Sequence, residues 1–167
     1  MKHRINSVVL VVALVAGACG GDGGALSAEE YFAAVEQAGT DFAARGDAAD
    51  ERLADADDFV AVTKAVLPEF GDIIDDFVGV LGDLEPPEEL SALHQEVMVR
   101  GREAAAKMDI VIGELTGIDD MVALIALFDG DAMIAFNEAG GQFEAACSDL
   151  QAYADEHDIV VDLSCEG

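Results

Sequence analysis

Three cysteines, three histidines and 35 carboxylates, set against eight Lys and Arg, supply nearly all the chemistry open to this 167-residue chain. The thiols are Cys19, Cys147 and Cys165, and no C-x-x-C pair is present, which argues against dithiol redox catalysis. His94 lies in a strong helical pattern, four residues before Met98, where a metal or haem ligand could sit. A metal needs more convergent donors than that. Bundle di-iron sites use Glu-x-x-His, and the residues three before His94 and His157 are Ser91 and Ala154. A histidine bonded within the bundle, or facing its edge, is the expectation for His94. Three acidic groups could attract calcium: Asp55, Asp57 and Asp58; Asp72, Asp75 and Asp76; Asp129 and Asp131. None lies in a twelve-residue loop with a central Gly and a terminal Glu, so solvated faces are expected instead. Ser27, Ser91, Ser148 and Ser164 have no G-x-S-x-G around them, and no Gly-rich phosphate loop precedes a Lys. Carboxylate pairs are so abundant that they select no reaction. The side chains therefore predict no catalytic residues, no metal site, no cofactor and no enzymatic activity.

Composition narrows the classes further. The formal charge is −27, yet 52% of the residues are hydrophobic and only 26% are charged. A disordered acidic tail lacks that much apolar material. A nucleic-acid partner is excluded by the want of a basic face. With 29 Ala, no Trp and 6% aromatic residues, helices are favoured over a β-sandwich. The length suits one domain with a modest core.

Such a body needs an address, and the N-terminus reads as one. Lys2, His3 and Arg4 form a positive n-region, followed by eleven apolar or small residues from Val8 to Ala18. That run suits the h-region of a signal peptide, whereas a membrane span takes about 20 residues. It ends in Val15-Ala16-Gly17-Ala18-Cys19, and Gly20-Gly21-Asp22-Gly23-Gly24 follows. This arrangement resembles the lipobox of bacterial lipoproteins, with Ala16 at the position where that family prefers Leu. The resemblance implies cleavage after Ala18, lipid on the Cys19 thiol, and anchoring on the extracytoplasmic side of the cell membrane. Residues 1–18 are then the signal peptide, 19–26 the lipidated Cys and flexible tether, and 27–167 an acidic helical-bundle domain. Loss of Lys2 and Arg4 leaves six basic residues against 35 acidic ones, a mature charge of −29.

If Cys19 carries lipid, Cys147 and Cys165 remain, and an exported compartment lets them pair. A helix from Cys147 to about His157 rises roughly 15 Å. The eight residues onward to Cys165 can span up to about 26 Å, so the tail can fold back to its partner. The bridge would pin Ile159-Val160-Val161-Asp162-Leu163 against the bundle as an extended segment.

The elements that must carry these residues follow helical spacing. Ser27-Ala28-Glu29-Glu30 has the form of a capping box and opens the first helix. One stripe runs through Phe32, Val35, Gly39 and Phe42 toward Val60, another through Phe70, Ile74, Phe77 and Leu81. The break between them is expected at Gly46-Asp47 or at Pro68, and the pattern does not choose. Glu85-Pro86-Pro87-Glu88-Glu89 starts a third helix, whose stripe passes Leu90, His94, Val97, Gly101 and Met108 to Leu115. A short apolar piece covers Met121 to Phe128, Asp129-Gly130-Asp131 turns the chain, and a last stripe runs from Met133 to His157. The fold class is therefore all-α: an antiparallel bundle of about four main helices with a disulfide-pinned extended tail. Small residues on its seams, among them Gly39, Gly46, Gly101 and Gly140, fit close helix packing or an internal cavity for an apolar ligand.

The Pro86-Pro87-Glu88-Glu89-Leu90 start with His94 after it, and the Ala146-Cys147-x-x-Leu150 to Ile159-Val160-Val161-Asp162-Leu163-x-Cys165 ending, resemble small predicted lipoproteins of actinobacteria. The likeness spans the C-terminal half and implies an all-helical envelope protein, without implying an activity. The function expected is a non-catalytic interaction or accessory module of the cell envelope, with an envelope protein or a small ligand as the unidentified partner. The alternative is a solute- or cation-binding lipoprotein using the bundle interior or an acidic patch.

Overall fold

The computed structural model describes residues 25–165, and the expected signal segment and Cys19 lie outside them. The described residues form five α-helices: α1 (Ala28–Ala54), α2 (Phe59–Gly82), α3 (Ser91–Leu115), α4 (Met121–Phe128) and α5 (Asp131–Glu156). The four long helices make an antiparallel bundle in which α3 packs between α2 and α5 and α1 packs on α2. None of the helices is long and apolar enough to cross a membrane.

The helix starts follow local chemistry. Ser27 caps α1 as expected: its hydroxyl accepts the Glu30 N–H, and the Glu30 carboxylate accepts the Ser27 N–H at 3.0 Å. Those bonds, the Ser27 backbone N–H first, hold the Glu30 carboxyl below its usual range. The tandem prolines begin a single 3-10 turn, Glu88–Leu90, and α3 proper starts at Ser91. The Leu26 N–H bonds the Glu85 carbonyl at 2.9 Å, which ties the start of α1 to the α2–α3 link. The start of α1, the Pro86-Pro87 turn and the end of α5 share one end of the bundle.

Neither expected break in the first half exists. α1 runs through Gly46, which faces Phe70 across the α1–α2 seam. α2 runs through Pro68, which removes one backbone donor but sits in a helix whose apolar side chains pack on both α1 and α3. The chain turns instead at Asp55–Asp58. The Asp55 N–H closes α1 on the Glu51 carbonyl, and the Asp58 carboxylate accepts the Ala61 N–H at 3.1 Å to open α2. A run of short acids, with neither Gly nor Pro, makes this turn.

The core is apolar and tightly filled. Phe42 of α1, Phe77 of α2 and Phe143 of α5 meet in series, with ring centroids 5.1 and 6.0 Å apart. Gly101 on α3 makes room for that contact, since a Cβ there would lie 3.0 Å from Val78 and 3.6 Å from Phe143. A Cβ at Gly71 would come within 2.6 Å of the Ile112 side chain. Thr63, the one buried polar residue among those described, turns its hydroxyl back onto the Phe59 carbonyl at 2.7 Å.

After Glu156 the chain leaves the helix and returns along the α1–α5 seam. Asp158 and Ser164 take left-handed backbone conformations, with φ of 56° and 48°, at the two ends of this strap. The Gln151 side chain bonds the Val161 carbonyl at 3.2 Å and the Leu163 N–H at 2.9 Å, as a paired strand would. Glu36 of α1 accepts the Asp162 N–H at 3.2 Å. Leu163 is buried, and the Cys147–Cys165 disulfide closes the strap with Cα atoms 5.5 Å apart.

Candidate functional site

The residues singled out for chemistry are mostly engaged in holding the fold. Cys147 and Cys165 bond each other. His94 does lie within the bundle: its Nδ1 is 3.1 Å from the Tyr31 hydroxyl, and the two rings meet edge-on. Burial pushes the Tyr31 phenol up to about 12, so it stays protonated and is placed to donate to Nδ1 of a neutral imidazole that carries its own proton on Nε2. Burial, with a smaller effect from the positive charge of Arg102, lowers the pKa of His94 and favours that neutral form. His157 caps α5, stacked on Tyr153 at 3.9 Å with its Nδ1 2.8 Å from the Tyr153 carbonyl.

The three acidic groups separate in the same way. Asp55 and Asp58 terminate helices at the α1–α2 turn. Asp72, Asp75 and Asp76 lie on an exposed side of α2, and Asp76 pairs with Arg45 of α1 at 2.9 Å. Asp129 and Asp131 flank the α4–α5 turn. Among the described residues, no three His, Cys, Asp or Glu side chains converge on one point where a metal could bind.

Two surface depressions stand out among the described residues. One lies at the α1–α2 turn, lined by Glu51, Arg52, Asp58 and Val62 and open to solvent. Arg52 within it is paired with Glu69. The other lies beside the strap, where Ser148, Gln151, Asp155 and Cys165 line it with no histidine to activate a serine. At the small-residue seams, Gly71 and Gly101 face side chains at contact distance rather than a cavity. Close packing accounts for those two positions.

Basic side chains are few and largely committed. Lys64 donates to the Ile118 carbonyl at 2.7 Å and lies 3.5 Å from Asp119. Arg100 joins Glu96, Glu103 and, at 2.6 Å, Gln142 of α5, and the two carboxylates, Glu96 first, raise the pKa of its guanidinium. These pairs are solvent-exposed, and such pairs are worth at most about 1 kcal/mol each. The surface that solvent meets is therefore predominantly acidic.

One surface was not legible as a site. α4 reads Met-Val-Ala-Leu-Ile-Ala-Leu-Phe, with no polar residue in eight. Leu124 and Leu127 are buried, while Met121, Val122 and Ile125 are 44%, 78% and 53% exposed, and Ala126 is exposed with them. At 100° per residue those four occupy one continuous arc of the helix, opposite the buried pair. The sequence signal was the missing polar face, which the run of apolar residues does contain.

No protein-family model matches the chain, and comparison with curated proteins and with solved structures gives no match either.

Proposed function

We propose that this protein is a lipid-anchored module on the extracytoplasmic face of the cell membrane, acting by binding another envelope protein rather than by catalysis. The observation that carries this reading is the order of parts at the N-terminus. A positive segment, an eleven-residue apolar run, Cys19 and a Gly-rich spacer lead directly to a capped helix start at Ser27. Ser27 lies eight positions after Cys19, a reach of about 28 Å when extended, so lipid on Cys19 would hold the bundle close to a membrane. The acidic body offers anionic lipid no attraction, and the anchor alone would keep it there.

The non-catalytic part of the reading is supported by how the reactive groups are used: His94 is bonded to Tyr31, the described thiols to each other, and Asp58 and Asp120 to helix starts. Fractionation of cells expressing Cys19→Ala tests the anchor. Loss of membrane retention is expected, and unchanged retention would contradict it. Calorimetric titration with calcium, zinc and copper tests the binding role against the cation-carrying alternative. No stoichiometric site is expected, and one with an affinity well below millimolar would overturn the reading.

A further inference from the structure

We infer that the outward face of α4 is a docking surface for a partner segment that is amphipathic and cationic, an apolar stripe bordered by Lys or Arg. This names the partner chemistry for the interaction role proposed above and rests on that reading. A helix that is apolar around its whole circumference is normally covered on every side. α4 is apolar all round, yet Met121, Val122, Ile125 and Ala126 face solvent together. Isolated surface hydrophobes are ordinary, whereas a contiguous arc of them marks an interaction site.

Charge selects the occupant. Asp119 and Asp120 precede the apolar face, Asp129 and Asp131 follow it, and all four are exposed. Lys64, held between Asp119 and the Ile118 carbonyl, offsets one of them. Asp120 also caps α4 by accepting the Ala123 N–H at 2.9 Å, so the acids bracket the helix at both ends. An acidic rim around an apolar centre fits a partner with the opposite rim. It disfavours a second copy of this chain, whose own rim would face like charge, and it disfavours anionic lipid for the same reason. Position agrees: α1 alone spans about 40 Å from Ser27, and α4 lies at the far end of the bundle from the tether. The surface is presented away from the membrane to which Cys19 would hold the chain.

The test uses the full chain carrying Cys19→Ser, which keeps lipid out of the assay, with the Cys147–Cys165 bridge formed. A fluorescent helical peptide of Leu and Lys arranged on two faces is compared, near physiological salt, with a scrambled peptide of the same composition. The amphipathic peptide should bind at least about tenfold more tightly than the scrambled one. Val122→Gln with Ile125→Gln, which preserves helix propensity, should abolish that preference with unchanged thermal unfolding. Asp129→Asn with Asp131→Asn should weaken binding of both peptides and flatten the salt dependence. Equal binding of the two peptides, or a preference that survives the Gln pair, overturns the proposal. Self-association, or binding to vesicles containing phosphatidylglycerol, that the Gln pair removes would assign the face to a second copy or to a membrane and equally overturn it. Failure here with Cys19-dependent membrane retention intact removes the docking face alone. Loss of that retention result removes the anchored reading, whatever the peptides do.

Discussion

The two ends of the bundle solve the same packing problem in opposite ways. At the end where α1 begins the α1–α5 seam is sealed: Phe32 stacks near Tyr153 at 6.2 Å, Tyr31 bonds His94, and a disulfide-closed strap lays Leu163 over the gap. At the far end a helix with no polar residue is half covered and left facing solvent. The chain has a covalent device for closing apolar surface and applies it at one end only. Large apolar residues are exposed singly elsewhere, among them Val80, Ile110 and Val160, whereas on α4 the exposed ones adjoin in one arc.

The contrast can be broken first at its most buried point. Phe32→Ala, at a fully buried ring, should cost about 3–5 kcal/mol in urea unfolding. A loss near zero would mean the end where α1 begins is not packed as described. Removing the bridge with Cys147→Ser and Cys165→Ser should cost about 3 kcal/mol, since the cross-link closes a loop with a sequence separation of 18. Hydrogen exchange at Leu163 should accelerate with it, while exchange in α4 stays as it was.

Ser27→Ala should cost about 1 kcal/mol through loss of the capping box, read as a small drop in the denaturation midpoint. A pH effect of smaller size sharpens the same end. The pKa of His94 is lowered in the folded state, so its contribution to stability is complete above the unfolded value of about 6.5 and declines as pH falls below it. The stability difference between the wild type and His94→Gln should therefore shrink or reverse on acidification, and a pH-independent difference would contradict the Tyr31–His94 bond. Least affected of all should be Val122→Gln with Ile125→Gln, within about 0.5 kcal/mol of wild type, because nothing in the monomer depends on those side chains.

Much of this architecture could be read directly from residue order. The 3.6-residue spacing of Val97, Gly101, Met108 and Leu115 matches the buried side of α3, and cysteine number with tail length pointed to the bridge. The α1–α2 turn could not be read, because Asp55–Asp58 holds no Gly or Pro and a short acidic run suits a helix cap as well as a cation. Pro68 misleads for the complementary reason: packing on two neighbouring helices outweighs one lost backbone bond. Tyr31 and His94 are 63 positions apart, and no local pattern joins them. The exposed arc of α4 was hidden by uniformity, since an all-apolar segment has no polar side from which to infer its orientation.

The two ends offer a matched pair of exposed apolar positions, Val122 on α4 and the fully exposed Val160 on the strap. A photoreactive side chain placed at each, in cells carrying the protein, tests the central contrast most directly. The account predicts a discrete protein adduct from position 122, suppressed by excess amphipathic cationic peptide, and none from position 160. Adducts of equal yield from both positions, or from position 160 alone, would contradict it.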